Sequence, residues 1–241
     1  MGWSVNFKGF MGYYKLAKKD NAVAKKYFEA AYAKGLSKPN YLAAYATLLQ
    51  QEKNYELALE VFQKAYRSQM ATPQIKWSLK ANLATCYFKI GDTERALELA
   101  EEMYDSRKNG TAFILYGYFL LSVGRLDEAL EVSLKGYEYD DEDASICDNL
   151  GQIYYAKGDF EKAETFFSKA LAEKDNMVDS LYFMAELNIK KEQYDQAYEY
   201  LDSALDAPMP SLTTASKEMI LQKLEEIKPF CTVKEEAEAD D

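Results

Sequence analysis

The chain has 241 residues, 48% of them hydrophobic, and carries 29 basic against 40 acidic residues for a net charge of −11. That balance repels phosphate backbones and argues against a nucleic-acid partner. The sequence contains no histidine, which removes Ser-His and Cys-His nucleophile pairs, imidazole acid–base chemistry and His-containing metal sites together.

Cys86, Cys147 and Cys231 are widely spaced and form no C-x-x-C pair, so they predict reduced, mostly buried thiols. No run of about 18 apolar residues is present to span a membrane. Asn6 stands where a myristoylation signal needs Ser or Thr, and there is no signal-peptide pattern. The expected location is cytoplasmic, or membrane-tethered if an anchor lies N-terminal to this chain.

Taken in order, the chain is a series of short amphipathic helices in pairs. A small residue opens each pair at Gly12, Ala46, Ala84, Gly117, Gly151 and Ala185, and another follows twelve positions later at Ala24, Ala58, Ala96, Ala129, Ala163 and Ala197. Two antiparallel helices approach within about 8–10 Å only where the crossing residues are small. Large apolar residues flank the crossings: Leu150, Tyr154 and Phe167 in the clearest copy, with Phe28, Phe62 and Leu201 at second-helix equivalents. Gly91, Gly124 and Gly158 mark hairpin turns, and Asp92 and Asp159 follow as N-caps.

The units begin near Val5, Pro39, Trp77, Gly110, Ala144 and Val178, giving repeats near 5–38, 39–76, 77–109, 110–143, 144–177 and 178–210. Two irregularities stand out. Four extra residues around Arg67–Lys76, with Pro73, predict a lengthened second helix or a loop. In the fourth unit Ser133 and Gly136 replace a large residue and Ala, a thin spot in the core that neighbours such as Tyr137 are expected to fill. After Pro208-Met209-Pro210, residues Ser211–Ile227 read as one amphipathic helix within a capping segment 211–231, and 232–241 as a disordered acidic tail.

The 34-residue period, with Leu150-Gly151-x-x-Tyr154 followed by Ala163, Phe167 and Ala170, resembles the tetratricopeptide (TPR) repeat. The resemblance implies an all-α, right-handed superhelical solenoid of six helix-turn-helix repeats, closed by a C-terminal capping helix. It further implies that first-helix positions unused in packing hold a protein or peptide segment. Carried onto this sequence those positions include Tyr13, Asn40, Thr47, Gln51, Thr85, Phe88, Tyr118, Asp148, Gln152, Tyr155, Tyr182 and Glu186. Amides and hydroxyls dominate the N-terminal half, tyrosines the middle, and Asp148, Asp179 and Glu186 the C-terminal half. Repeat proteins that clamp a terminal carboxylate present basic residues at positions 5 and 9. None stands there here, so the expected ligand is apolar or basic.

The first helix adds a second candidate surface. Trp3, Phe7, Phe10 and Tyr14 are spaced to share one helical face, where a solenoid end would be polar. A homodimer contact, a docking edge for another protein, or the trace of an N-terminal segment absent from this chain each accounts for it. The acidic run Asp140–Asp143 lacks the glycine and distant Glu of a calcium loop and reads as helix capping. No phosphate loop, dinucleotide fingerprint or nucleophile elbow occurs, and no cofactor or metal is implied. The expected function is a non-catalytic interaction scaffold, with a self-associating assembly subunit as the competing reading.

Overall fold

The computed structural model describes residues 4–232; Trp3 and the acidic tail beyond Thr232 lie outside the described residues. It divides into two compact units, one ending at Lys108 and the other beginning at Asn109. The first holds α1 (Val5–Ala17), α2 (Asn21–Tyr32), α3 (Pro39–Gln51), α4 (Tyr55–Tyr66), α5 (Pro73–Lys89) and α6 (Thr93–Ser106). The second holds α7 (Gly110–Ser122), α8 (Leu126–Tyr139), α9 (Ala144–Ala156), α10 (Phe160–Glu173), α11 (Val178–Lys190), α12 (Tyr194–Asp206) and α13 (Lys217–Ile227), then a 3₁₀ turn at Lys228–Phe230. No strand occurs among the described residues. The fold is all-α: three helical hairpins per unit and a terminal helix.

In the first and fifth hairpins the glycine of the first helix faces a phenylalanine ring of the second. A methyl group on Gly12 would stand 2.8 Å from the Phe28 ring, and one on Gly151 2.5 Å from the Phe167 ring. The partner alanines, Ala24, Ala58, Ala96, Ala129, Ala163 and Ala197, are all fully buried. Phe28, Phe62 and Phe167 fill the equivalent core position in their hairpins and are also fully buried.

All six hairpin turns carry a residue of positive φ. Three are the expected glycines, Gly91, Gly124 and Gly158; the other three are Lys19, Lys53 and Glu192, with φ of 60°, 61° and 58°. Asp20, Asn54, Asp92 and Asp159 cap the second helices, each side chain accepting a bond from the backbone N–H three residues on.

The irregularities resolve differently from expectation. The four extra residues lengthen neither a second helix nor a loop alone: α4 ends at Tyr66, while α5 starts at Pro73 and has 17 residues where α3 has 13. Thr72 accepts from the Ile75 N–H and Pro73 occupies the first turn, where its missing N–H costs nothing. At the thin spot, the space over Gly136 is taken by Phe113 and Ile146 rather than by Tyr137, whose ring meets Phe166 edge-on. The terminal helix begins at Lys217, not Ser211. Ser216 caps it through the Met219 N–H, and the six residues before that are turned to another use.

Candidate functional site

Within the first unit, α1, α3 and α5 enclose an open groove of ≈ 490 Å³. Of the sequence-predicted residues it brings together Tyr13, Asn40 and Thr47. Leu16, Ala43, Ala44, Ile75 and Leu79 supply an apolar floor, while Gln74, Ser78 and Asn82 add polar groups. No acidic or basic side chain lines it. Tyr13 is half exposed and leans on the Tyr41 ring, with centroids 5.9 Å apart. Thr47 bonds back to the Ala43 carbonyl at 3.0 Å and Asn82 to that of Ser78 at 3.1 Å, so part of the polar rim is held in place by its own helices. Gln51, Thr85 and Phe88 are outside the lining; Thr85 is buried and bonds to the Ala81 carbonyl. Gln74 and Ile75 escaped the sequence reading because they belong to the extra turn of α5, which the Thr72-Pro73 cap signalled.

In the second unit the predicted residues converge on a segment of the chain itself. Asp179 of α11 accepts the Thr214 backbone N–H at 3.0 Å, the Ala215 N–H at 2.8 Å and the Thr213 hydroxyl at 2.7 Å. The Thr214 hydroxyl donates to Oε1 of Gln152 on α9 at 2.7 Å, and Tyr118 of α7 hydrogen-bonds Thr214 as well. Gln152 turns its Nε2 to Asp148 at 2.7 Å and to Asp179 at 3.3 Å, and the Ser180 hydroxyl donates to Asp148. The buried side chains of Asp148, Gln152, Asp179 and Ser180 therefore all have hydrogen-bond partners, as burial of polar groups demands.

Burial and the neighbouring Asp179 charge push the Asp148 carboxyl up to about 7, because a second negative charge in a dry site is unfavourable. Burial likewise pushes the Tyr118 and Tyr155 phenols up to about 12. Tyr155 packs between Phe160 and Phe183, at centroid distances of 5.3 and 4.9 Å. Tyr182 is buried, and Glu186 pairs with Lys223 of α13 at 3.1 Å. Asp148 and Gln152, expected to face a partner, are thus covered by the chain's own Thr213–Ala215. The repeat spacing puts Tyr118, Asp148 and Gln152 on first helices but gives no sign of Thr213–Ala215 beside them, because Ser211–Ile227 has the spacing of one amphipathic helix.

Burial raises the Cys86 and Cys147 thiols to about 12 and about 11, leaving both protonated at neutral pH and poor nucleophiles. Phe7, Phe10 and Tyr14 are exposed on α1, at 41%, 50% and 47%. No helix among the described residues is long and apolar enough to cross a membrane.

Comparison with known proteins settles the family. Models of the tetratricopeptide repeat match residues 11–73 and 154–209, the first two and the last two hairpins, and solved TPR structures share the fold. The chain is a tetratricopeptide repeat protein. The TPR protein is 26% identical over 185 residues to the BBSome complex member BBS4 homolog of Drosophila melanogaster, covering 76% of this chain and 37% of that one. It is 26% identical over 109 residues to BBS4 of Bos taurus, covering 45% and 20%. The chain thus spans 37% of the length of the first of these curated relatives and 20% of the second. Among solved structures, the APC/C hetero-tetramer Cut9-Hcn1 superposes with a TM-score of 0.70 at 15% identity, over 93% of this chain and 42% of that one. A thermophilic TPR protein of Thermus thermophilus gives 0.64 at 19% identity, over 79% and 99%. TPR domains serve generally as non-catalytic platforms for protein partners, and this chain has the fold of such a platform.

Proposed function

We propose that this TPR protein is a non-catalytic scaffold whose α1–α3–α5 groove binds an extended partner segment with apolar side chains. One observation carries the reading: the equivalent stripe of the second unit, Tyr118, Gln152 and Asp179, already holds a non-helical stretch of polypeptide in cis. The same positions in the first unit form an open groove. There the lining offers amide and hydroxyl groups to a peptide backbone and aliphatic floor to its side chains, with no fixed charge to select a basic or acidic ligand. Selection of phage-displayed twelve-residue peptides on the full chain tests this. Apolar extended peptides should be enriched, and Asn40→Ala with Gln74→Ala should lose them while melting like the parent. Equal enrichment on the variant, or none on the parent, sinks the groove reading.

A second contact surface is favoured by the charge distribution. Residues 1–38 contain eight lysines and two acidic residues, a net of +6, whereas the rest of the chain carries 21 basic and 38 acidic residues, a net of −17. The exposed aromatics of α1 therefore sit on a locally basic hairpin. A symmetric self-contact there would set lysines against lysines, so an acidic helical partner suits this edge better than a second copy.

A further inference from the structure

The ten residues from Ala207 to Ser216 join α12 to α13 without regular structure, and Thr213–Ala215 is held by three first helices of the second unit. Pro208, Met209, Pro210 and Ser211 are exposed. Ala207 and Ala215 are buried at its two ends, and between them polar bonds tie Thr213 and Thr214 to α9 and α11.

We propose that the Asp148–Gln152–Asp179 face is a second peptide-binding site, selective for a bent hydroxyl–hydroxyl–small tripeptide, and that Thr213–Ala215 is a resident pseudo-ligand displaced in trans by a segment of the same chemistry. The selectivity follows from what each group can do. A carboxylate only accepts, and Asp179 takes two consecutive backbone N–H groups and one hydroxyl, so proline at the second or third position is excluded. Gln152 has its Nε2 committed to Asp148 and Asp179, which leaves Oε1 to accept the second hydroxyl. Asp148 is thereby a positioning residue for that amide. The third side chain, Ala215, is fully buried in the cluster that contains Leu181 and Tyr182, so a small residue is required there. Displacement is local, because α13 keeps its own packing through Ile220 and Ile227 and the two prolines hold the released segment extended.

The site shares no residue with the α1–α3–α5 groove, so the two proposals fail independently. The test uses the full chain and a fluorescent probe, acetyl-PSLTTASK-amide. In the parent the resident segment competes at high effective concentration and the probe binds weakly. Thr214→Pro removes both the N–H that Asp179 accepts and the hydroxyl that Gln152 accepts, and should raise probe affinity by about tenfold or more. Adding Asp179→Asn should abolish that gain, and a probe with proline at its second Thr should not bind. A Thr214→Pro chain that melts like the parent yet gains no affinity overturns the proposal. If that variant does not fold, hydrogen exchange of the parent decides: the Thr214 and Ala215 amides should exchange about a hundredfold faster than the core of α11. Exchange of those two amides only with global unfolding would show the segment to be fixed structure and overturn it equally.

Discussion

A single donor, Nε2 of Gln152, serves two carboxylates, that of Asp148 at 2.7 Å and that of Asp179 at 3.3 Å. Two acidic groups so close in a buried site compete for charge, and Asp148 yields, its carboxyl rising from 3.8 to about 7. The folded state then holds a proton that the unfolded chain gives up above about pH 4. Stability from this group is full below about pH 4, declines as pH rises towards 7, and is flat above. The whole change is on the order of a few kcal/mol. Urea midpoints measured from about pH 4.5 to about pH 8 should fall across the window, and Asp148→Asn should flatten that part of the slope. An unchanged slope in the variant would assign the decline to other groups.

Gly151 faces Phe167 so closely that an added methyl would stand 2.5 Å from the ring. Phe167 is fully buried and stacks on Phe183, with centroids 5.5 Å apart, so it has little room to retreat. Gly151→Ala should cost about 1–3 kcal/mol through overpacking, despite the better helix propensity of alanine. Chemical denaturation measures it. A variant as stable as the parent would show that α9 and α10 separate freely, contrary to their packing.

Most of the fold was legible because its determinants are local and repeated. Gly12 against Phe28 and Gly151 against Phe167 are one constraint written twice, and a period of 34 makes each copy evidence for the others. What escaped lies where the repeat breaks. Lys19, Lys53 and Glu192 take turn positions that only glycine advertises. The start of α5 follows Thr72-Pro73, not the period. Thr213 and Thr214 could be read as helix because their partners, Asp179, Gln152 and Tyr118, lie 34 to 96 residues away and no local pattern names them. Asp148 and Gln152 lie on α9, where the repeat spacing puts them, yet their burial depends on that distant segment.

Lys53 closes the second hairpin at φ 61°, where its Cβ crowds the following carbonyl. The side chain is exposed. Lys53→Gly should therefore stabilise the chain by about 0.5–1 kcal/mol, and Gly91→Ala, at φ 86° in the third hairpin, should cost a comparable amount. Thermal melts of the pair check both signs. A destabilised Lys53→Gly would mean that unfolded-state entropy outweighs the relief of strain at this turn.

The α1 edge makes opposite predictions for its two candidate occupants, and salt separates them. Phe7, Phe10 and Tyr14 are exposed beside Lys8, Lys15 and Lys18, and Lys18 reaches the Tyr14 ring at 5.9 Å. An acidic helix docked there gains from opposite charge, so its affinity should fall as salt rises and the Debye length shrinks from about 30 Å at 0.01 M to about 8 Å at 0.15 M. A second copy docked edge to edge brings lysines together, so self-association should strengthen over the same range. Phe7→Asp with Phe10→Asp should leave stability within about 0.5 kcal/mol, since both side chains are exposed. It should also abolish binding of a synthetic glutamate-rich amphipathic helix at low salt. Sedimentation equilibrium at both salt concentrations completes the test: a dimer that tightens with salt and dissolves in the double variant would replace the acidic partner with a second copy of the chain.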